Sequence, residues 1–110
     1  SGLGTDSQVS FSSEYDGAAP EAKLVFDDIS SDGNTLDGIP WDLATGLFPV
    51  PFWAGARIHS NSWGSSQTYY TTSASEVDEY MAANPDFLVL VAAGNDGPGY
   101  FTLGSPATAK

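Results

Sequence analysis

Asn95 stands just beyond an unbroken apolar run, Phe87-Leu88-Val89-Leu90-Val91-Ala92-Ala93, and directly after Gly94. Its side-chain amide can donate two hydrogen bonds. The residues shrink to Ala92-Ala93-Gly94 just before it, and small residues at a strand end let another chain or a ligand come close to the backbone. Asn95-Asp96-Gly97-Pro98 are also four turn formers, and on local chemistry alone a turn is the favoured reading. His59, the single histidine, lies close in sequence to Ser60 and Ser62. Neighbours on a strand point to opposite faces, so His59 and Ser60 diverge, and a packed structural histidine is favoured over a general base. Asp27, Asp28, Asp32, Asn34 and Asp37 supply oxygen ligands in one region, the donor type that calcium takes. Their spacing is not that of an EF-hand loop, and a solvated acidic loop is the favoured account.

The elements that would carry these residues follow from periodicity and punctuation. Ser1 to Gly17 is polar and reads as a surface loop. Ala22 to Ile29, with Leu24-Val25-Phe26 at its centre, reads as a first strand, and Ser30 to Gly38 as a loop. Pro40 suits the first position of a helix. Trp41, Leu43, Ala44, Leu47 and Phe48 follow at helical spacing, Pro49 and Pro51 kink or split that helix, and Gly55 suits its C-terminal cap. Trp41, Phe48, Phe52 and Trp53 form either a binding patch or core, with core favoured. Arg57 to Ser62 alternates as a second strand. Ser73 with Glu76 matches a capping box, so a helix is expected over Ala74 to Ala83, with Val77, Tyr80 and Met81 facing inward. Asn84-Pro85 stops it, and the Phe87 run reads as a third strand buried on both faces.

The fold class is therefore α/β, a three-layer parallel sheet with flanking helices and a β-α-β-α-β core. Helical crossovers make such strands parallel, so their C-terminal ends share one edge, where ligands bind. That rule brings Ser62-Trp63-Gly64 and Gly94-Asn95 to the same rim.

Composition narrows the partners. The chain has 110 residues and a net charge of −11, from 14 acids against 3 bases. Nucleic acid and anionic membrane surfaces are thereby disfavoured, since both need clustered Lys and Arg. Hydrophobic residues at 41% suffice for a core. Without cysteine there is no disulfide, thiolate nucleophile or cysteine metal site. The acidic, lysine-poor composition favours a secreted or extracellular setting.

Several stretches resemble the subtilisin-like serine peptidases. His59-Ser60-Asn61-Ser62-Trp63-Gly64 is similar to their substrate-binding strand. Val91-Ala92-Ala93-Gly94-Asn95-Asp96-Gly97 is similar to their Ala-Ala-Gly-Asn oxyanion segment. Gly17-Ala18-Ala19-Pro20-Glu21-Ala22-Lys23-Leu24 resembles the segment that follows their catalytic-histidine helix. Gly104-Ser105-Pro106-Ala107 sits where they have a proline loop near the specificity pocket. The resemblance implies that Asn95 donates to the oxyanion of the tetrahedral intermediate. It implies that Ser62, Trp63 and Gly64 offer backbone groups to an extended polypeptide substrate, with Trp63 as a wall. Ala92, Ala93 and Gly94 would form the opposite side of the primary pocket, and Ser105-Pro106 would be a candidate cis bond. The Asp, His and Ser motifs of the family's triad are absent from these 110 residues.

The expectation is thus the central part of a subtilisin-like endopeptidase, inactive alone and needing no cofactor for its chemistry. The rival reading is a free-standing, non-catalytic peptide-binding or interaction module. Three parallel strands would leave two unpaired edges, so association with the rest of the peptidase domain, or with another copy, is expected.

Overall fold

The computed structural model describes residues 17–110, so all but the last residue of the expected N-terminal loop lies outside the described part. Five elements follow one another: α1 (Leu43–Gly46), α2 (Pro49–Trp53), β1 (Ile58–Asn61), α3 (Thr72–Ala83) and β2 (Leu88–Val91). β1 and β2 pair in parallel, Ile58 opposite Leu88 and Asn61 opposite Val91, with α3 as the crossover.

Local chemistry accounts for the helices, with two adjustments. The first helix begins at Leu43 rather than beside Pro40, because the Asp42 carboxylate accepts from the Ala44 and Thr45 N–H groups at 2.9 and 3.2 Å. Pro49 then occupies the first turn of α2, where its missing N–H is no loss, and the expected split occurs there. After α2 the chain reverses through Gly55 at φ +102°, with the Ala56 N–H donating to the Pro51 carbonyl. The longest helix, α3, is capped by Thr71, whose hydroxyl accepts from the Ala74 N–H at 3.3 Å. The Ser73–Glu76 capping box does not form. Glu76 instead reaches across to α1 and accepts from the Leu43 N–H at 3.0 Å, joining the starts of two helices.

The core lies between the helices and one face of the sheet: Leu43, Leu47, Phe48, Val77, Tyr80, Phe87 and Val89. Phe48 sits at its centre, with ring centroids 5.2 Å from Tyr80 and 6.0 Å from Phe87. Leu88 and Leu90, on the opposite face, are 45% and 48% exposed. β2 is therefore buried on one face rather than both, because the described helices pack against one side only.

The larger correction concerns the first strand. Ala22 to Ile29 forms no ladder, and Leu24 and Phe26 are 69% and 90% exposed. A β-rich segment becomes a strand only when another backbone pairs with its N–H and C=O groups. Among the described residues none pairs with Lys23 to Asp27. The sheet has two strands here, and the order is α-α-β-α-β, still of α/β class.

Candidate functional site

The parallel pairing puts both strand tips on one edge. Beyond β1 run Ser62, Trp63 and Gly64; beyond β2 run Ala92, Ala93, Gly94 and Asn95. The Ala92 N–H donates to the Asn61 carbonyl at 2.9 Å, carrying the pairing one step past the strands. A cleft of about 340 Å³ opens between the tips, lined by Ser62, Trp63, Gly64, Ala92, Gly94 and Asn95 among others. Six of the seven residues singled out from the sequence thus meet around one space. Ala93 is not part of its lining: its carbonyl accepts from the Gly104 N–H at 3.3 Å and fastens the returning chain.

Asn95 is exposed, and its amide makes no hydrogen bond among the described residues. Gly94 before it has φ +102°, a conformation that L side chains rarely adopt, so this glycine sets the angle at which Asn95 leaves the strand. A chain segment folding back supplies the third wall, with Thr102 and Gly104. Ser65 bridges Ser105 in antiparallel sense, its N–H donating to the Ser105 carbonyl at 2.8 Å, and the Ser105 N–H donates to Gln67 at 2.9 Å. The Ser105-Pro106 bond is cis, and Pro106 is fully buried.

This bridge gives Gly64 a reason to be glycine. A Cβ on residue 64 would lie 2.8 Å from the Ser105 carbonyl oxygen. Gly64→Ala is expected to force the bridge apart and lower stability by about 1–3 kcal/mol, the cost of overpacking. Urea denaturation of the purified chain checks this; an unchanged midpoint refutes the contact. Gly104 is under the same constraint, since a Cβ there would run into the Ser65 carbonyl oxygen.

Trp63 separates this cleft from a wider basin of about 750 Å³, walled by Ile39, Trp41, Trp63, Tyr69 and Tyr70. Leu36, Gly64 and Ser65 border both spaces. Leu36, Thr68, Asp96 and Thr102 line the cleft without having been singled out from the sequence, and Gly104 of the expected proline loop joins them. Asp96 adjoins Asn95 and could have been noticed. The others arrive through contacts over long sequence separations, which no local pattern announces.

His59 is structural, as expected. Its Nε2 lies 2.9 Å from Asn61 Oδ1, and its ring packs edge-on against Phe48 at 5.2 Å. No serine joins it as a hydrogen-bonded nucleophile among the described residues.

The acidic loop is organised by its own chain. The Asp32 carboxylate accepts from the Asn34 and Thr35 N–H groups at 2.8 and 2.9 Å, and from the Thr35 and Ser30 hydroxyls. These donors, the Asn34 N–H foremost, hold its pKa down to about 2, against 3.8 ordinarily. Asp37 is lowered in the same sense by the Ser31 hydroxyl and N–H. Among the described residues no three His, Cys, Asp or Glu side chains are grouped as for a metal ion. A depressed folded-state pKa means the loop's support is complete above the unfolded value of 3.8 and is lost as pH falls through about 2. An NMR titration should show the Asn34 and Thr35 amides moving with a midpoint near 2. A midpoint near 3.8 would contradict the Asp32 hydrogen bonds.

Two parallel strand tips around a cleft, one followed by an exposed Asn behind a left-handed glycine, make an α/β architecture with its cleft at the strand ends. The chain belongs to the subtilase family, Peptidase S8, whose family profile matches residues 3–110. Among curated proteins it is similar to three from Dictyostelium discoideum, each named a serine protease/ABC transporter B family protein. TagD is 39% identical over 114 residues, covering 99% of this chain and 6% of that protein. TagB is 38% identical over 103 residues, covering 89% and 5%. TagA is 33% identical over 104 residues, covering 89% and 6%. The chain therefore spans only about one-twentieth of the length of these relatives.

Proposed function

We propose that this chain is the central part of a subtilisin-like serine endopeptidase, supplying the oxyanion donor and one side of the substrate groove. What supports this reading is the meeting of the Ser62-Trp63-Gly64 and Ala92-to-Asn95 tips around one cleft. An extended polypeptide substrate would add alongside Ser62 to Gly64 and hydrogen-bond their backbone, as a strand does. Ala92 and Gly94, being small, leave room beside it for the substrate's side chain, and Ala93 holds the third wall. Asn95 would donate its amide to the carbonyl oxygen of the scissile bond as that oxygen gains charge. A donor that exists before the reaction stabilises the transition state without reorganising, and so favours it over the ground state. No cofactor enters this chemistry.

The nucleophile, the base and the carboxylate that orients it must come from elsewhere in the polypeptide. The chain alone should therefore hydrolyse neither a peptide ester nor a peptide amide above the buffer rate. Turnover by the purified chain that a serine-directed inhibitor abolishes would overturn this. The flanking coding sequence should hold Asp and His motifs upstream and a Ser motif downstream. A reading frame closed at both ends of these 110 residues would instead favour the non-catalytic module.

A further inference from the structure

Asp16, Asp32, Asp37 and Asp96 each precede a glycine, and no asparagine does. An Asp-Gly bond is where a main-chain nitrogen most easily reaches the preceding carboxyl carbon, because glycine has no Cβ beside that nitrogen. The pairs at Asp32, Asp37 and Asp96 lie wholly within the described residues, and the fold treats them differently. We propose that Asp96-Gly97 is a modification site where aspartate converts to isoaspartate without an enzyme, and that conversion there disables the cleft it lines.

The reaction needs only water. Starting from the neutral acid, the Gly97 nitrogen forms a bond to Asp96 Cγ, and the N–H proton leaves with the carboxyl hydroxyl as water. The product is a succinimide ring, which water then opens. Opening at Cγ restores aspartate. Opening at the former main-chain carbonyl leaves the chain running through Cβ and Cγ, with the α-carboxylate as the side group. The water lost is regained, and nothing is oxidised or reduced.

At Asp32 and Asp37 both reacting groups are engaged. The Asp32 carboxylate accepts from the Asn34 and Thr35 N–H groups at 2.8 and 2.9 Å, and the Gly33 N–H donates to the Ser30 hydroxyl at 2.8 Å. The Asp37 carboxylate accepts from the Ser31 N–H at 2.8 Å, and the Gly38 N–H donates to the Ile29 carbonyl at 3.1 Å. These bonds must break before either nitrogen can turn onto its carboxyl carbon. The donors also lower the pKa of both carboxyls, that of Asp32 to about 2, so the neutral acid is scarce at these positions. Asp96 and Gly97 are exposed, and among the described residues neither the Asp96 carboxylate nor the Gly97 N–H makes a hydrogen bond.

The glycines differ as well. Gly33 has φ +75°, and a Cβ on Gly38 would lie 2.9 Å from the Ile29 carbonyl carbon, so turn and packing require glycine at both. Gly97 is outside the left-handed region, and a Cβ there would meet Thr102 Oγ1 at 3.8 Å, an ordinary contact. Alanine therefore fits at 97.

Asp96 lines the cleft beside Asn95. Isoaspartate lengthens the main chain by a methylene directly after Asn95, which displaces that wall and turns the Asn95 amide away from its aim. The loss of activity rests on the peptidase reading; the isomerisation does not.

Incubation of the purified chain at neutral pH, with isoaspartate located by electron-transfer fragmentation in a mass spectrometer, tests the site. Isoaspartate should accumulate at Asp96 at least about tenfold faster than at Asp32 or Asp37, the ratio expected from one hydrogen bond to a charged group. In urea the three rates should converge. Equal rates in the folded chain, or a preference for Asp96 that persists in urea, overturn the proposal. Gly97→Ala should remove most of the isoaspartate at Asp96; an undiminished rate there also overturns it. In the peptidase proposed to contain this chain, kcat should fall in step with conversion at Asp96, and the Gly97→Ala variant, normalised to its own starting kcat, should hold its activity longer. A kcat that stays constant as Asp96 converts overturns the effect on the cleft. A polypeptide without hydrolytic activity at any age sinks the peptidase reading alone, and isoaspartate at Asp96 would still support the site.

Discussion

Asn95→Ala, made in the peptidase proposed to contain this chain, is expected to lower kcat by about 10²–10³-fold with KM nearly unchanged, a loss of about 2.7–4 kcal/mol of transition-state stabilisation. The range is carried over from an oxyanion donor in a serine peptidase of the family. The structure adds why this position suits the role. Asn95 is exposed at a strand tip, its amide makes no hydrogen bond among the described residues, and Gly94 at φ +102° fixes its approach. An amide with no intramolecular task can be removed with little cost to folding, so the denaturation midpoint should stay put. That combination separates a catalytic donor from a structural residue. A raised KM with intact kcat would assign Asn95 to ground-state binding instead, and unaltered kinetics would remove the oxyanion role altogether. Asn95→Asp is the sharper companion. It nearly preserves shape but offers an acceptor and a negative charge where charge develops, so it should do at least as much damage as Ala.

Much of this site was legible because its elements are local. Seven apolar residues from Phe87 to Ala93 read as a strand that Gly94-Asn95 had to end, although only Phe87 and Val89 among them are buried. Parallel pairing then followed from the intervening helix, bringing Trp63 and Asn95 to one rim. What stayed hidden depends on distant chain. Leu24-Val25-Phe26 has strand composition, but no partner among the described residues, and composition cannot supply one. Ser73-Glu76 has the spacing of a capping box, yet the Leu43 N–H competes for Glu76 from 33 residues away. Gly64 ends the resemblance to the substrate-binding strand, but nothing nearby reveals that Ser105 packs against it. Helical spacing marked Trp41 and Phe48 alike as core; Trp41 stands fully exposed on the basin, while Phe48 is completely enclosed. Asp42, by capping Ala44 and Thr45, starts the helix after Trp41 and leaves that ring outside it.

Phe48→Ala should be the most damaging single substitution in the described fold, lowering stability by about 3–5 kcal/mol. Phe48 joins α1 to α2 and has no solvent exposure. Its ring meets His59 of β1 at 5.2 Å, Tyr80 of α3 at 5.2 Å and Phe87, just before β2, at 6.0 Å. Truncation removes a side chain that touches all these parts, and a core of seven buried residues has little else with which to refill the space. Against a domain stability of about 5–15 kcal/mol, the loss would leave a large unfolded fraction. Trp53→Ala is the matched control: also aromatic and at the other end of α2, but 80% exposed, so its expected change is within about 0.5 kcal/mol. Urea denaturation of both variants, followed by far-UV circular dichroism, makes the comparison. If the two cost the same, Phe48 is not the centre of the core. If Phe48→Ala unfolds the chain while Trp53→Ala is silent, the same enclosed ring that ties the helices to the sheet also holds β1 beside β2. The cleft between Trp63 and Asn95 then owes its shape to a residue that never touches it.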